Sequence, residues 1–210
     1  MFHEGSHPQH VCLIQEGFAL RYKCSRDGKR QILGYLIEGD ICDAHFTIFN
    51  KCDHSVQLLT DALIVQIPTQ VLMETIVRYP RIERAILLTT LVEKAMLREW
   101  LLNVAQRDAC QKLAHFFCEM AARLTAVGLA NDDGSISLPL TQRELADTVG
   151  LTTVHANRTL QRLRSDGLIT LTHRRLTILD PDRLCELADF NQDYLRIDDR
   201  PLELAFRSFG

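Results

Sequence analysis

The sequence predicts an α+β chain in three parts: an N-terminal β domain of sandwich or barrel type, one long helix, and a C-terminal winged helix-turn-helix. Three observations predict it. Residues 1–68 alternate short runs of branched and aromatic residues with Gly- and Asp-bearing turns. Residues 81–105 keep apolar positions at helical spacing for longer than an average globular helix. Residues 140–178 read as strand, helix, tight turn, helix and two-stranded wing.

Composition narrows the classes first. At 210 residues the chain has room for one or two domains. Hydrophobic residues make up 46% and charged residues 24%, a globular balance. No apolar run approaches the length that spans a bilayer, so no membrane partner is expected. No charged-then-apolar leader opens the chain. Its seven cysteines, an odd number at irregular spacing, argue against a disulfide framework and for a reducing cytoplasm. There is no internal repeat and no low-complexity segment.

The predicted strands are residues 11–14, 18–23, 31–36, 55–60 and 63–67. Glu16-Gly17, Asp27-Gly28, Glu38-Gly39-Asp40 and Asp61 separate them, and Asp-Gly is a strong hairpin signal. Cys12 and Cys24 fall in strands, where a free thiol is usually a small buried apolar group. Residues 71–78 form a short helix punctuated by Tyr79-Pro80, and Pro80 suits the first turn of the next one.

The long helix carries two apolar stripes. Ala85, Leu88, Leu91, Val92, Ala95 and Leu102 make one. Ile82, Ile86, Leu97 and Trp100 make another on nearly the opposite side. A helix apolar on two sides must be buried on two sides. One stripe suits the β domain. The other is covered either by the same helix of a second copy, as in a two-stranded coiled coil, or by burial within one domain. Glu99 lies inside the first stripe and needs a partner. Residues 103–108 are the expected hinge. A further helix over 109–126 puts Cys110, Leu113, Ala114, Phe117, Cys118, Ala121 and Leu124 on one face. A polar turn at 131–134 leads to an extended segment over 136–140.

In the helix-turn-helix, Thr141 is an N-cap and Glu144 completes a capping box. Leu145, Ala146 and Val149 share the inner face, and Gly150 ends the helix. The second helix starts near Thr152 or Thr153 and runs to about Asp166, with Ala156, Leu160 and Leu163 inward. Small residues at Ala146 and Ala156 let the two helices cross closely. Gly167 closes the second helix, and the wing turns at His173-Arg174. Residues 181–190 are a closing helix capped by Asp180. Beyond Asn191 the periodicity fades, and Phe206 and Phe209 are candidates to dock on the body.

Charge is divided by region. The span 141–175 has six Arg and three acids, net +3, inside a chain of net −3. A basic island in an acidic chain is what phosphate attraction requires. Charge alone is equally served by the solvated face of an amphipathic helix. The cap, the turn glycine and the wing point to DNA.

On these residues the stretch 140–178 resembles the C-terminal domain of the Crp/Fnr superfamily of bacterial transcription regulators, and the resemblance extends over nearly the whole chain. It implies an N-terminal jelly-roll β domain of the cyclic-nucleotide-binding type over 1–80, a dimerisation helix and hinge over 81–107, a DNA-binding domain over 108–190 and a tail over 191–210. It implies double-stranded DNA, a second copy and RNA polymerase as partners, with an unidentified small-molecule effector. In the family the second helix enters the major groove. Arg158 falls on the arginine that pairs with guanine, and Thr152 on a hydroxyl that touches phosphate. Val154 stands where a glutamate usually reads cytosine, and Thr153 where the cyclic-AMP receptor has a second arginine. The docking mode therefore carries over, but the half-site does not. The candidate DNA-binding set is Thr141, Arg143, Thr152, Thr153, Val154, His155, Asn157, Arg158, Gln161, Arg162, His173 and Arg174.

The resemblance also frames the sensing pocket. In the family a helix and opening strands precede a turn like Phe2-His3-Glu4-Gly5, so the roll is expected to be short at its start. Cyclic-nucleotide binders carry Gly-Glu-Leu and then Arg-Ser or Arg-Thr after the Gly39-Asp40 equivalent. Here those segments read Asp43-Ala44-His45 and His54-Ser55-Val56. Neutral His is a poor substitute for a guanidinium, so tight cyclic-AMP or cyclic-GMP binding is not expected. Asp43, His45, His54 and Ser55 remain the candidate effector residues.

No cofactor and no metal site are expected. Cys42, His45, Cys52 and His54 supply soft and imidazole ligands, but without a recognised finger spacing. The closely spaced N-terminal cysteines of the family's iron–sulfur sensors are absent. An enzyme with a cupin-like roll would show a His-x-His pair, and none is present. Neither a nucleophile elbow nor a glycine-rich phosphate loop is found.

Overall fold

The computed structural model describes residues 1–42, 44 and 51–197. Two three-stranded antiparallel sheets form the N-terminal domain. One has the order β4-β1-β6, from Ile41–Cys42, His10–Glu16 and Leu63–Pro68. The other has the order β3-β2-β5, from Arg30–Leu36, Ala19–Cys24 and Ser55–Leu58. Side-chain alternation explains the packing of the second sheet. Ala19 and Leu36 pair across it and face the roll's own core with Ile14, Cys12 and Val56. Leu20 and Tyr35, the next pair, face the other way and join the larger core that holds the helices. The sheet is thus covered on both faces where Ala19, Leu20, Tyr35 and Leu36 lie, while the other ends of β2 and β3 keep polar residues.

Helix α1 covers Thr69–Arg78 and the long helix α2 covers Pro80–Gln106. Over its 27 residues only Trp100 and Asn103 are buried. The second apolar stripe therefore behaves differently from expectation. Trp100 packs on Tyr35 and Phe116, but Ile82 and Leu97 stay exposed. The reason is geometric: the helix meets β3 only near its C-terminal end. Cys24 is also exposed, because β2 ends there. The extended segment over 136–140 is a strand, β7, only at Ile136–Ser137, although Leu138 and Leu140 are buried beyond it.

Arg107 is extended and separates α2 from α3, Ala109–Ala126. Asp108 caps α3 in a full capping box with Gln111. Helix α3 is the hub of the C-terminal half, and ten of its residues are buried. Glu119 is fully buried there, accepting from Trp100 Nε1 at 3.0 Å and from the Tyr194 hydroxyl at 2.7 Å. Burial raises its pKa against the opposing pull of Arg123 and these two donors. Tyr194 belongs to a 3₁₀ turn, Gln192–Leu195, in the stretch whose periodicity had faded. Phe206 and Phe209 lie outside the described residues.

The reading domain docks onto the roll through polar contacts that sequence order hides. Arg30 on β3 pairs with Asp147 at 2.8 Å, and Gln31 donates to the Thr148 carbonyl at 3.0 Å. The Thr148 hydroxyl donates to Glu144 O, so the Tyr35 hydroxyl, 2.5 Å away, is the donor to Thr148. Arg123 reaches back from α3 to the Tyr35 carbonyl and to Asp40 at 2.9 Å.

Glu99 finds its partners where α2 meets α3: Arg107 lies at 3.4 Å and His115 Nε2 at 3.7 Å. Burial first, and then the Arg107 charge, depress His115 from 6.5 to about 3, so its ring is neutral and makes no ion pair at neutral pH. The unfolded chain then takes up a proton below 6.5 that the folded chain refuses until about 3. Stability contributed by the neutral ring is lost as pH falls through that window, at about 1.4 kcal/mol per pH unit. Glu119 acts in the opposite sense and is common to any comparison at this site. His115→Gln should therefore flatten the acid limb of urea-unfolding stability between pH 6 and pH 4 relative to wild type (roughly 2 kcal/mol over the interval). Parallel limbs in the two proteins would refute the assignment.

Candidate nucleic-acid interface

The reading unit is built from local rules. Helix α4 is Gln142–Val149. The Thr141 hydroxyl accepts from Glu144 N at 3.2 Å, while Glu144 Oε2 accepts from Thr141 N at 2.8 Å. Gly150 then sits at φ 67°, a left-handed turn position that costs glycine least. Helix α5 is Thr153–Ser165, and the Thr152 hydroxyl accepts from His155 N at 3.2 Å as its N-cap. That hydroxyl keeps its own proton to donate. Ala146 and Ala156 are buried where the helices cross, with Leu160 and Leu163 beneath them.

At the C-terminal end of α5, Gly167 N donates to Arg164 O and Leu168 N to Leu163 O, the paired bonds of a Schellman ending. Strands β8, Ile169–Thr172, and β9, Arg175–Ile178, follow and form a sheet with β7. Arg164 Nη2 donates to the Leu171 carbonyl, which fixes the wing against the recognition helix. His173 and Arg174 are both at positive φ, 49° and 62°, as a two-residue hairpin demands.

The candidate residues fall as follows. Thr152, Thr153, Val154, His155, Arg158, Gln161 and Arg162 are exposed along one side of α5, and Asn157 is half-buried. Val154 is 73% exposed, an apolar side chain presented to solvent at the head of the helix. Arg143, His173 and Arg174 are exposed on α4 and the wing tip. Thr141 is exposed, but its hydroxyl is engaged by Glu144 on both counts, donating to Oε2 at 2.8 Å. Arg162 holds a loose 3.8 Å pair with Asp166, and Arg175 a 3.7 Å pair with Asp133.

In the roll, His54 and Ser55 are buried. The His54 ring lies 2.8 Å from Asp53, and the Ser55 hydroxyl accepts from Glu4 N. Asp43 and His45 lie outside the described residues. Among the described residues no group of three or more His, Cys, Asp or Glu is placed to hold a metal ion. Nor is any of their helices long and apolar enough to cross a membrane. On α2, Ala85, Leu88, Leu91 and Leu102 are exposed, while Val92 and Ala95 are half-buried. Leu87 and Leu101 are more exposed still and were absent from the predicted stripe. Their fourteen-residue spacing, two heptads, was the available signal.

A β-roll, a long helix and an exposed recognition helix beside a wing define a DNA-binding regulator rather than an enzyme. The chain belongs to the Crp/Fnr superfamily of transcription regulators. Residues 111–187 match the Crp-like helix-turn-helix domain, and residues 1–79 match the cyclic nucleotide-binding domain. The transcriptional activator protein FnrL of Cereibacter sphaeroides is 30% identical over 186 residues, covering 87% of this chain and 74% of FnrL. The nitrogen fixation regulation protein FixK of Bradyrhizobium diazoefficiens is 28% identical over 175 residues, covering 83% of this chain and 72% of FixK. The fold matches that of FixK2 from Bradyrhizobium japonicum with a TM-score of 0.80 at 22% identity, covering 89% of this chain and 91% of FixK2.

The wing tip gives a test that separates folding from binding. Arg174→Gly relieves a left-handed backbone and should stabilise the domain by about 1 kcal/mol. It should also weaken DNA binding uniformly across sequences and lower the salt slope by about 1 if Arg174 meets phosphate. Thermal melts and salt-titrated binding read the two effects. Unchanged salt dependence would remove Arg174 from the interface.

Proposed function

We propose that this regulator works in the cytoplasm as a homodimer that reads an inverted-repeat operator, with a signal other than cyclic AMP governing it. The observation that carries the reading is the exposed face of α5, where Val154 and Arg158 stand one helical turn apart at the helix head. An Arg fork matches the two major-groove acceptors of guanine, and Val154 can pack on a thymine methyl. Thr152, with its hydroxyl proton to give, and Arg143 and Arg174 suit phosphates. Thr153, His155, Asn157, Gln161, Arg162 and His173 complete the contact surface, with Thr141 serving mainly through its cap.

The dimer is supported by the long helix. Leu88, Leu91 and Leu102 expose apolar surface on one side of α2, flanked by Leu87 and Leu101. A second copy of the helix would cover that surface and place two recognition helices for half-sites about one DNA turn apart. RNA polymerase is the partner expected of a regulator of this superfamily. His54 in place of a phosphate-binding arginine supports a signal other than a cyclic nucleotide. A constitutive dimer whose roll no longer senses a ligand is the alternative, and binding in the absence of cell extract distinguishes it.

Selection of bound duplexes from a random pool, with and without extract, should return an inverted repeat. Arg158→Ala should cost about 1–3 kcal/mol and relax preference at one base pair in each half-site. An unchanged preference would remove Arg158 from base reading. Leu91→Glu puts a charge on the exposed stripe, so sedimentation should show a shift to monomer together with loss of operator affinity. A wild-type protein that is monomeric when bound to the selected site would refute the dimer.

A further inference from the structure

Two thiols in the reading domain are close enough to react with one another. Cys118 on α3 and Cys185 on helix α6, Pro181–Ala188, have their sulfurs 3.8 Å apart, and neither is in a disulfide. They differ in access. Cys118 is buried, while Cys185 is half-exposed. Both line an open cavity of about 400 Å³ whose other walls include Ala121, Ala122 and Phe190. The small side chains leave room at the sulfurs, and the open mouth admits a molecule the size of hydrogen peroxide.

We propose that Cys118 and Cys185 form a peroxide-responsive disulfide site that braces the DNA-reading unit. The order of steps follows from access. The Cys185 thiol gives up its proton, and the thiolate attacks the O–O bond of a hydroperoxide. The O–O bond breaks, a sulfenic acid forms at Cys185, and the departing alkoxide (hydroxide from hydrogen peroxide) takes up the released proton and leaves as alcohol or water. The Cys118 sulfur then attacks the Cys185 sulfur. The S–O bond breaks, the S–S bond forms, and the hydroxide leaves as water with the Cys118 proton. Two thiols lose two electrons in all, and the peroxide gains them. Burial, reinforced by the adjacent Cys185, holds the Cys118 proton tightly, which fits it for the second role and not the first. Bonding needs the sulfurs to close by roughly 1.8 Å, within reach of a side-chain rotation into the cavity.

The position gives the bridge its consequence. The two cysteines are 67 residues apart, and the segment between them contains α4, α5 and the wing. A bond there closes the whole reading unit into one loop and ties α6, which follows the wing, to the hub helix. Loops of this length lose considerable unfolded-state freedom when closed.

The test uses the full chain with Cys24→Ser, which removes the exposed thiol on β2. Treatment with hydrogen peroxide should remove two free thiols per chain, restored by dithiothreitol. A non-reducing peptide map should recover the fragments containing residues 118 and 185 joined together, and the melting temperature should rise by several degrees. Adding Cys185→Ser should abolish the thiol loss. Adding Cys118→Ala should leave a sulfenic acid at Cys185 that a 1,3-dicarbonyl reagent traps. If the alanine variant does not fold, the serine variant decides. Unchanged thiol content, a bridge between other cysteines, or equal oxidation of Cys118 without Cys185 would overturn the proposal. None of these readouts involves DNA, so operator reading and this site can fail separately.

Discussion

The architecture depends on Tyr35. Its ring lies 6.2 Å from Trp100 and 5.4 Å from Phe116, so one strand of the roll, the long helix and the hub of the reading domain meet on a single side chain. Its hydroxyl donates into α4 at Thr148, and its carbonyl accepts from Arg123 on α3. Each aromatic pair contributes about 0.5–1.5 kcal/mol beyond its area, and the hydroxyl bond about 1 kcal/mol. Against a net stability of about 5–15 kcal/mol these are large terms at one residue. Burial also holds the phenol proton far above its usual range, so the hydroxyl acts only as a neutral hydrogen-bonding group. The result is one core shared by the roll and the winged domain. A shift of β3 cannot leave the first helix of the reading unit where it was.

The long helix is organised differently. Its buried contacts are confined to Trp100 and Asn103, and a tie from Arg21 to Glu93 at 2.9 Å holds its middle to the roll. The rest leaves leucines in solvent. Burying a leucine is worth about 1.5–3 kcal/mol, so an uncovered stripe of this length leaves substantial stability unused. The polar junction that follows has the opposite character. Glu99, Arg107 and neutral His115 are brought together where α2 ends, and His115 stacks on Tyr194 while Phe190 meets its edge.

How much of this was legible follows from the range of each signal. Thr141, Glu144, Gly150, Thr152 and Gly167 act within four residues of themselves, and the helix-turn-helix could be read almost whole from them. The wing tip was legible because a turn between two short β runs has few places to go. Ile82 and Leu97 are exposed in the single chain because periodicity marks a face without saying which surface covers it. Cys24 was misread because a strand's last residue need not share the burial of its middle. Arg30–Asp147 and Tyr35–Thr148 join positions 117 and 113 residues apart, and no local pattern marks either end. Glu119 was invisible for a related reason: its donors come from α2 and from a 3₁₀ turn in a segment without period.

The basic island shows how folding sharpens a composition. The sequence offers six arginines and three acids over 141–175. In the fold, Glu144 is consumed by the cap and Asp147 by Arg30 from the roll. Arg164 is turned inward to the wing, Arg175 faces Asp133, and Arg162 shares Asp166 across solvent. Arg143, Arg158 and Arg174 stand exposed on α4, α5 and the wing tip respectively, and Arg162 is exposed beside its loose pair. One of the acids that lowered the net charge, Asp147, is paired by Arg30 of the roll, whereas Glu144 is held by the uncharged Thr141 cap. The docking of the two domains therefore does electrostatic as well as mechanical work. It offsets Asp147 with a cation from outside 141–175, just as Asp133 offsets Arg175 with an acid from outside it, so the local balance stays at the +3 of the sequence count while the fold sets where that charge stands.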